Sequence, residues 1–215
     1  MKKKINLKTD LLQKYSQFVL KNGKKPLNVF SFCEEIATTE SEFYKHFANF
    51  ETLEQEYLKH FFNATVELIL ADETYQQAGA KEKLLSFYFT FFEQLTQNRS
   101  LMMYLLQDAK SLPHVIKTIH PLKPIFIDYV KTLDIQVMET NLGKLESYKE
   151  QSVNELAWLH LVATLQFWVK DTSPSFEKTD IFIEKSIDTS FEFTHLEPLK
   201  KMIDFGKFLW KEKMN

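Results

Sequence analysis

Hydrophobic residues recur at helical spacing along most of the chain, and no segment shows the strong two-residue alternation of a strand. Leu11, Leu12, Tyr15, Phe18 and Val19 predict a first helix from about Thr9 to Lys21. Asn22-Gly23 ends it in the manner of a left-handed cap, and Pro26 stands where a first helical position would be. Val29, Phe30, Phe32, Cys33 and Ile36 make a second run that stops at Ala37. A short third run, Ser41 to Phe47, follows, with Thr39 placed to cap its free N–H groups. Asn49 is the next candidate cap. Glu51 and Glu54 open a long helix to about Ala71, where negative charge suits the helix dipole.

Past a break at Gln76 to Ala80, the pattern thickens. Leu84 to Leu95 is apolar on nearly every face, which predicts a helix buried all round. Leu101 to Leu106 is similar, and Met102 and Met103 suggest an adaptable wall. Ser111-Leu112-Pro113 and His120-Pro121-Leu122-Lys123-Pro124 punctuate a short helix (Val115–Ile119) and a longer one (Ile125–Leu133), and Asn141-Leu142-Gly143 reads as a loop. Gln151 to Lys170 is again apolar nearly all round, and Asp180 to Thr194 carries a stripe of Ile181, Ile183, Ile187 and Phe191. The tail, Glu197 to Lys213, is a basic amphipathic helix that either packs on its own body or lies in a membrane interface. The fold class is all-α.

Composition narrows the function. With 215 residues, 44% hydrophobic, and 20 Phe, the chain can bury a sizeable core and keep apolar surface for a partner or ligand. A net charge of −2 does not advertise nucleic acid, and Arg99 is the only Arg among Lys cations. One cysteine rules out an intrachain disulfide and fits a cytoplasmic protein, with Cys33 read as buried filler. MKKKINLKTD has no apolar run behind its lysines, so it is not a signal peptide, and no stretch suits a bilayer span. Residues 1–8 read as a loose basic arm. No Gly-rich phosphate loop, HExxH or GxSxG occurs, so no enzyme and no catalytic residue is expected. His114 and His120 lack metal-site spacing, His160 reads as a core or interface histidine, and no cofactor is implied.

Two short helices joined by a tight turn form the helix-turn-helix pattern, centred here on Phe32 to Leu53. The segment FYKHFANFETL resembles the end of the DNA-binding domain of TetR-family regulators, with Phe43, Tyr44, Phe47, Glu51 and Leu53 at the matching positions. Gly23 and the acidic pair Glu34–Glu35 fit the same frame. The resemblance implies a TetR-like fold: a helix-turn-helix head over residues 1–49, and an effector-binding and dimerisation body over 50–215. It implies operator DNA as a partner, met by Thr39, Ser41, Tyr44, Lys45 and His46, with Lys24 and Lys25 on phosphates. It also implies an apolar small-molecule or lipid effector, for which Phe87, Phe91, Tyr104, Phe126 and Trp158 are the candidate contacts. A homodimer through the helices near 151–170 and 180–194 completes the expectation. The chain departs from the family at Ala37-Thr38-Thr39, where Gly-Val-Ser is usual, and at Phe50, where a lysine often meets phosphate. Glu40 and Glu42 also put carboxylates on the recognition run, where they repel phosphate.

Val169 to Ile187 carries a second resemblance. Asp171, Ser173, Pro174, Phe176, Glu177, Thr179 and Phe182 are similar to the corresponding stretch of the ubiquinone-biosynthesis lipid-binding proteins, which have a TetR-like fold and no DNA-binding role. Asp171 and Ser173 can cap a helix start while Pro174 fixes the turn. This resemblance implies the alternative function, a lipid-binding accessory protein that has lost DNA binding.

Overall fold

A computed structural model describes residues 7–106, 112–135 and 146–194, and no strand occurs among them. Three helices lead the chain: α1 (Leu7–Asn22), α2 (Val29–Glu35) and α3 (Glu40–Tyr44). Gly23 closes α1 at φ +65°, with its N–H on the Val19 carbonyl at 2.8 Å. A side chain is strained in that left-handed conformation, which is why glycine stands there. Pro26 does not begin α2. Asn28 does, through a capping box: its side chain accepts from the Ser31 N–H at 2.8 Å, and the Ser31 hydroxyl faces the Asn28 N–H. Thr39 caps α3 as expected, accepting from the Glu42 N–H at 3.2 Å. The third helix is shorter than the run Ser41 to Phe47, because the chain turns at Lys45–His46 to bury Phe47. Leu11, Tyr15, Phe32, Phe43 and Leu53 are fully buried at the centre of this unit, with rings packed mostly edge to face.

The long helix α4 (Phe50–Leu70) starts on a second capping box, in which Asn49 and Thr52 bond reciprocally. Its first turns pack on α1, and its later turns enter the body with Phe62 and Ile69 buried. A short α5 (Glu73–Gln77), capped by Asp72, occupies part of the break around Gly79. Then come α6 (Ala80–Gln97), α7 (Arg99–Leu105), α8 (Leu112–Ile119), a 3-10 turn (His120–Leu122) and α9 (Lys123–Thr132). The chain ends, within the described residues, in α10 (Glu146–Lys170) and α11 (Glu177–Thr194), with a 3-10 turn at Pro174–Phe176 between them. Helix α6 lies between α4 and α11, α10 packs on α8, α9 and α11, and α1 leans on α7.

Two expectations about burial are corrected. Helix α6 is not buried all round: Leu84, Phe87, Tyr88, Phe91, Phe92 and Leu95 face inward, while Phe89 is exposed, because the helix is covered on two sides only. Ile181 does not share the stripe of Ile183 and Ile187. Two positions along a helix lie on opposed sides at about 100° per residue, so Ile181 is exposed while the other two are buried. The loop at Asn141-Leu142-Gly143 and the amphipathic tail from Glu197 lie outside the described residues, as do residues 1–6 of the basic arm.

Candidate functional site

Local sequence builds the head's outer face. Thr39 sets the start of α3, and Phe43 and Phe47 anchor it inward, leaving Ser41, Tyr44, Lys45 and His46 exposed on its other side. Lys24 and Lys25 are exposed on the loop after α1. The structure therefore gathers Thr39, Ser41, Tyr44, Lys45 and His46 on one short element. Two of the three candidate phosphate lysines are already engaged: Lys45 with Glu42 one turn earlier, and Lys25 with Glu54 of α4 at 2.8 Å. Lys24 makes no ion pair among the described residues. Around them, Leu27, Phe30 and Tyr44 present apolar surface, and Glu34 and Glu35 are exposed.

Where head meets body, polar contacts flank an apolar core that runs on without a break. The Tyr15 hydroxyl donates to Glu54 Oε1 at 2.5 Å, and burial together with that carboxylate pushes its pKa up. The Tyr57 hydroxyl accepts from the Ser16 N–H at 3.2 Å, and burial pushes its pKa up to about 12. Beside them lies a cavity of about 560 Å³, lined from the head by Lys25 and from α4 by Glu51, Glu54, Gln55 and Leu58. Tyr104 and Leu105 of α7, Lys117 and Thr118 of α8, and His120 and Pro121 close the other side. The Tyr104 hydroxyl is buried beside that of Tyr15 without completing a hydrogen bond, and desolvation raises its pKa.

The five aromatic candidates for effector contact separate. Phe87, Phe91, Phe126 and Trp158 are between 0% and 3% exposed and pack on one another: Phe87 stacks on Phe91 at 5.5 Å and meets Phe126 at 5.7 Å, and Phe126 meets Trp158 at 6.3 Å. Tyr104 belongs to the junction cavity instead. Its helix turns that ring toward α1 and α4, away from the other four.

Two further clusters are structural. The His160 ring lies between Tyr88 and Ser186, 2.7 Å from each. The Ser186 hydroxyl gives its proton to the Phe182 carbonyl at 2.6 Å, so it accepts from His160 Nε2–H, and Nδ1 accepts from Tyr88. Burial lowers this histidine's pKa to about 4 and keeps it neutral. At the corner between α10 and α11, Asp171 accepts from the N–H and hydroxyl groups of both Ser173 and Thr179 at 2.7–2.9 Å. Burial works to raise its pKa, but these four donors hold it down to about 2. Arg99 lies between the rings of Trp168 and Phe176, 4.4 and 4.2 Å from their centroids, and donates to the carbonyls of Trp168, Val169 and Asp171. Asp171, Ser173 and Thr179, which carry the second sequence resemblance, are thus occupied in building the corner.

The outer faces of α10 and α11 are apolar. Leu156, Leu159, Ala163 and Phe167 follow one another at spacings of three and four, and all are exposed. Phe167 stacks on Phe182 at 4.7 Å and, with Ile181, lines an adjoining apolar groove. Neither the seam residues Glu54 and Lys117 nor the corner arginine stands out in the sequence. The partners of Glu54 and Arg99 lie 29 residues or more away (Lys25 and Tyr15 to Glu54; Arg99 to Trp168, Val169 and Asp171), beyond any local pattern. The solitary status of Arg99 was the one available signal.

Among the described residues, no helix is long and apolar enough to cross a membrane, and no group of three or more His, Cys, Asp or Glu is placed to hold a metal. No curated protein matches the chain. The family described as tetracyclin repressor-like, C-terminal domain, matches residues 83–209, from the first turn of α6 to beyond α11. That is more than half of the 215 residues, and the described part of the matched stretch is helical, as the match leads one to expect. The chain belongs to the TetR family.

Proposed function

We propose that the protein is a dimeric, cytoplasmic one-component transcriptional regulator. Residues 1–49 meet operator DNA, and residues 50–215 dimerise and take up an effector. The observation that carries this reading is the capped helix α3 with its flanks: Thr39 at its cap, Ser41 and Tyr44 on the helix, and Lys45 and His46 in the turn after it are all exposed. A helix presented in this way can enter a major groove, with Lys24, Lys25 and Lys45 toward phosphates. The dimer forms through the exposed Leu156–Leu159–Ala163–Phe167 stripe of α10 and the Ile181 face of α11, since two copies of one apolar face satisfy each other across a two-fold axis. An apolar effector lodges against Phe87, Phe91, Phe126 and Trp158. These rings are in mutual contact, so entry parts them and moves the adjoining α4, and the ligand acts through its different affinity for the two arrangements.

Fluorescence anisotropy with DNA from the gene's own upstream region tests the reading. Binding should weaken steeply as salt rises, because phosphate contacts release counterions. Absence of salt-dependent binding by a purified dimer would defeat it. The ion pairs of Lys25 and Lys45 and the carboxylates Glu34, Glu35, Glu40 and Glu42 favour the second reading, a TetR-fold lipid-binding protein without DNA. That protein would ignore DNA and carry an apolar molecule through purification, visible by native mass spectrometry.

A further inference from the structure

The junction cavity differs chemically from the aromatic wall of the body. Leu58, Leu105 and Pro121 supply its apolar part. Its charged groups are Lys25 and Lys117 against Glu51 and Glu54, so the four sum to zero. Glu54 is spoken for, with Tyr15 on one oxygen and Lys25 on the other. What remains is one group of each sign. Glu51 and Lys117 make no ion pair among the described residues, and the buried Tyr104 hydroxyl has no hydrogen-bond partner. A volume of about 560 Å³ falls within the usual range of small-molecule pockets, about 300–1,000 Å³.

We propose that this cavity binds a small zwitterion of the amino-acid type with an apolar side chain. The ligand's ammonium pairs with Glu51, its carboxylate with Lys117, and its side chain lies on Leu58 and Leu105. The Tyr104 hydroxyl gains the hydrogen bond it lacks, which matters because a buried polar group without one is costly. A purely anionic or purely cationic ligand would neutralise one of the two free groups and repel the other. The site also touches both parts of the chain. Lys25 belongs to the head loop and Glu54 to α4, so a carboxylate that competes for Lys25 loosens a tie between head and body. That consequence rests on the regulator reading, while the binding itself does not.

Isothermal titration of the full chain at pH 7 tests the site with L-leucine and L-phenylalanine, their N-acetyl derivatives and their methyl esters. The free amino acids should bind saturably. Each blocked form should bind about tenfold more weakly, as the loss of one charge-assisted hydrogen bond produces. Glu51→Gln should weaken the free amino acid to the level of its N-acetyl form, and Lys117→Gln to the level of its ester. Both side chains are exposed, and circular dichroism should be unchanged for either variant. No saturable binding of either amino acid, equal binding of free and blocked forms, or indifference to both substitutions would overturn the proposal. The titration contains no DNA, so a protein that binds no operator still decides it.

Discussion

The α10–α11 corner and the head–body junction use similar chemistry to opposite ends. Each centres on one carboxylate, a cation and nearby hydroxyls. At the corner every valence of Asp171 is filled from within the chain, and Arg99 is clasped between two rings while it serves three carbonyls. At the junction Glu54 is satisfied, but the groups around it are not: Tyr104 lacks a hydrogen bond, and Glu51 and Lys117 face a cavity. A fully satisfied polar cluster rigidifies its surroundings, whereas a partly satisfied one is where a ligand or a second conformation finds a foothold.

Aromatic contacts mark the same division. Among the described residues, the rings of Tyr15, Phe32 and Phe43 and of Phe50 at the start of α4 contact one another, and the deeper rings of the body (Phe62, Phe87, Phe126, Tyr129) contact one another. No ring contact joins the two sets; the Tyr15–Glu54–Lys25 bonds lie in the seam between them. Polar bonds can exchange partners at small cost, and close-packed rings cannot, so the seam is the natural place for head and body to shift.

The sharpest way to break this contrast is at the corner. Asp171→Ala removes the acceptor for four donors and should cost about 4 kcal/mol of stability, at about 1 kcal/mol per net hydrogen bond, measured by urea unfolding. The same group sets an acid limit. Its folded pKa of about 2 lies below the unfolded value of about 3.9, so its contribution is complete above that value and disappears as pH falls through 2. In Asp171→Ala the wild-type loss of stability across that window should vanish. A variant as stable as the parent would mean that the corner is no more essential than the seam.

Next in size is Arg99→Lys. A lysine keeps the charge but loses the planar fork that reaches three carbonyls and stacks on two rings, which should cost about 2 kcal/mol. At the junction Glu54→Gln should cost only about 1 kcal/mol, because Lys25 is about half exposed and the pair is weakened by solvent. On the regulator reading proposed above, its effect should appear as a changed operator affinity at constant fold. Smallest is Lys117→Gln, expected to stay within about 0.5 kcal/mol of the parent on unfolding while it weakens amino-acid binding. Equal stability losses for Asp171→Ala and Glu54→Gln would erase the distinction between the two sites.

Much of the helical order was legible in the sequence. The caps at Thr39 and Asn49, the left-handed Gly23, the buried Cys33 and the capping role of Asp171 and Ser173 depend on residues within a few positions of one another. Helix α5 and the Asn28 cap were equally local but carried weak apolar patterns. The exposure of Ser41, Tyr44, Lys45 and His46 was also readable, because a short capped helix has only one side left to expose. Which cations there are free was not: Lys25 meets Glu54 only because α4 folds back across the head.

The sequence alone determined an all-α chain with short capped helices ahead of a long one, because helical periodicity and caps act over one or two turns. It also showed an excess of aromatic residues. Only the tertiary structure decided which of them line space and which fill it: Phe87, Phe91, Phe126 and Trp158 went to the core, and Tyr104 to the junction. It likewise brought Tyr15 to Glu54, Arg99 to Trp168, and Lys117 to the cavity shared with Lys25. These pairings depend on how helices cross, a property of several packed faces at once that no single stretch of chain encodes.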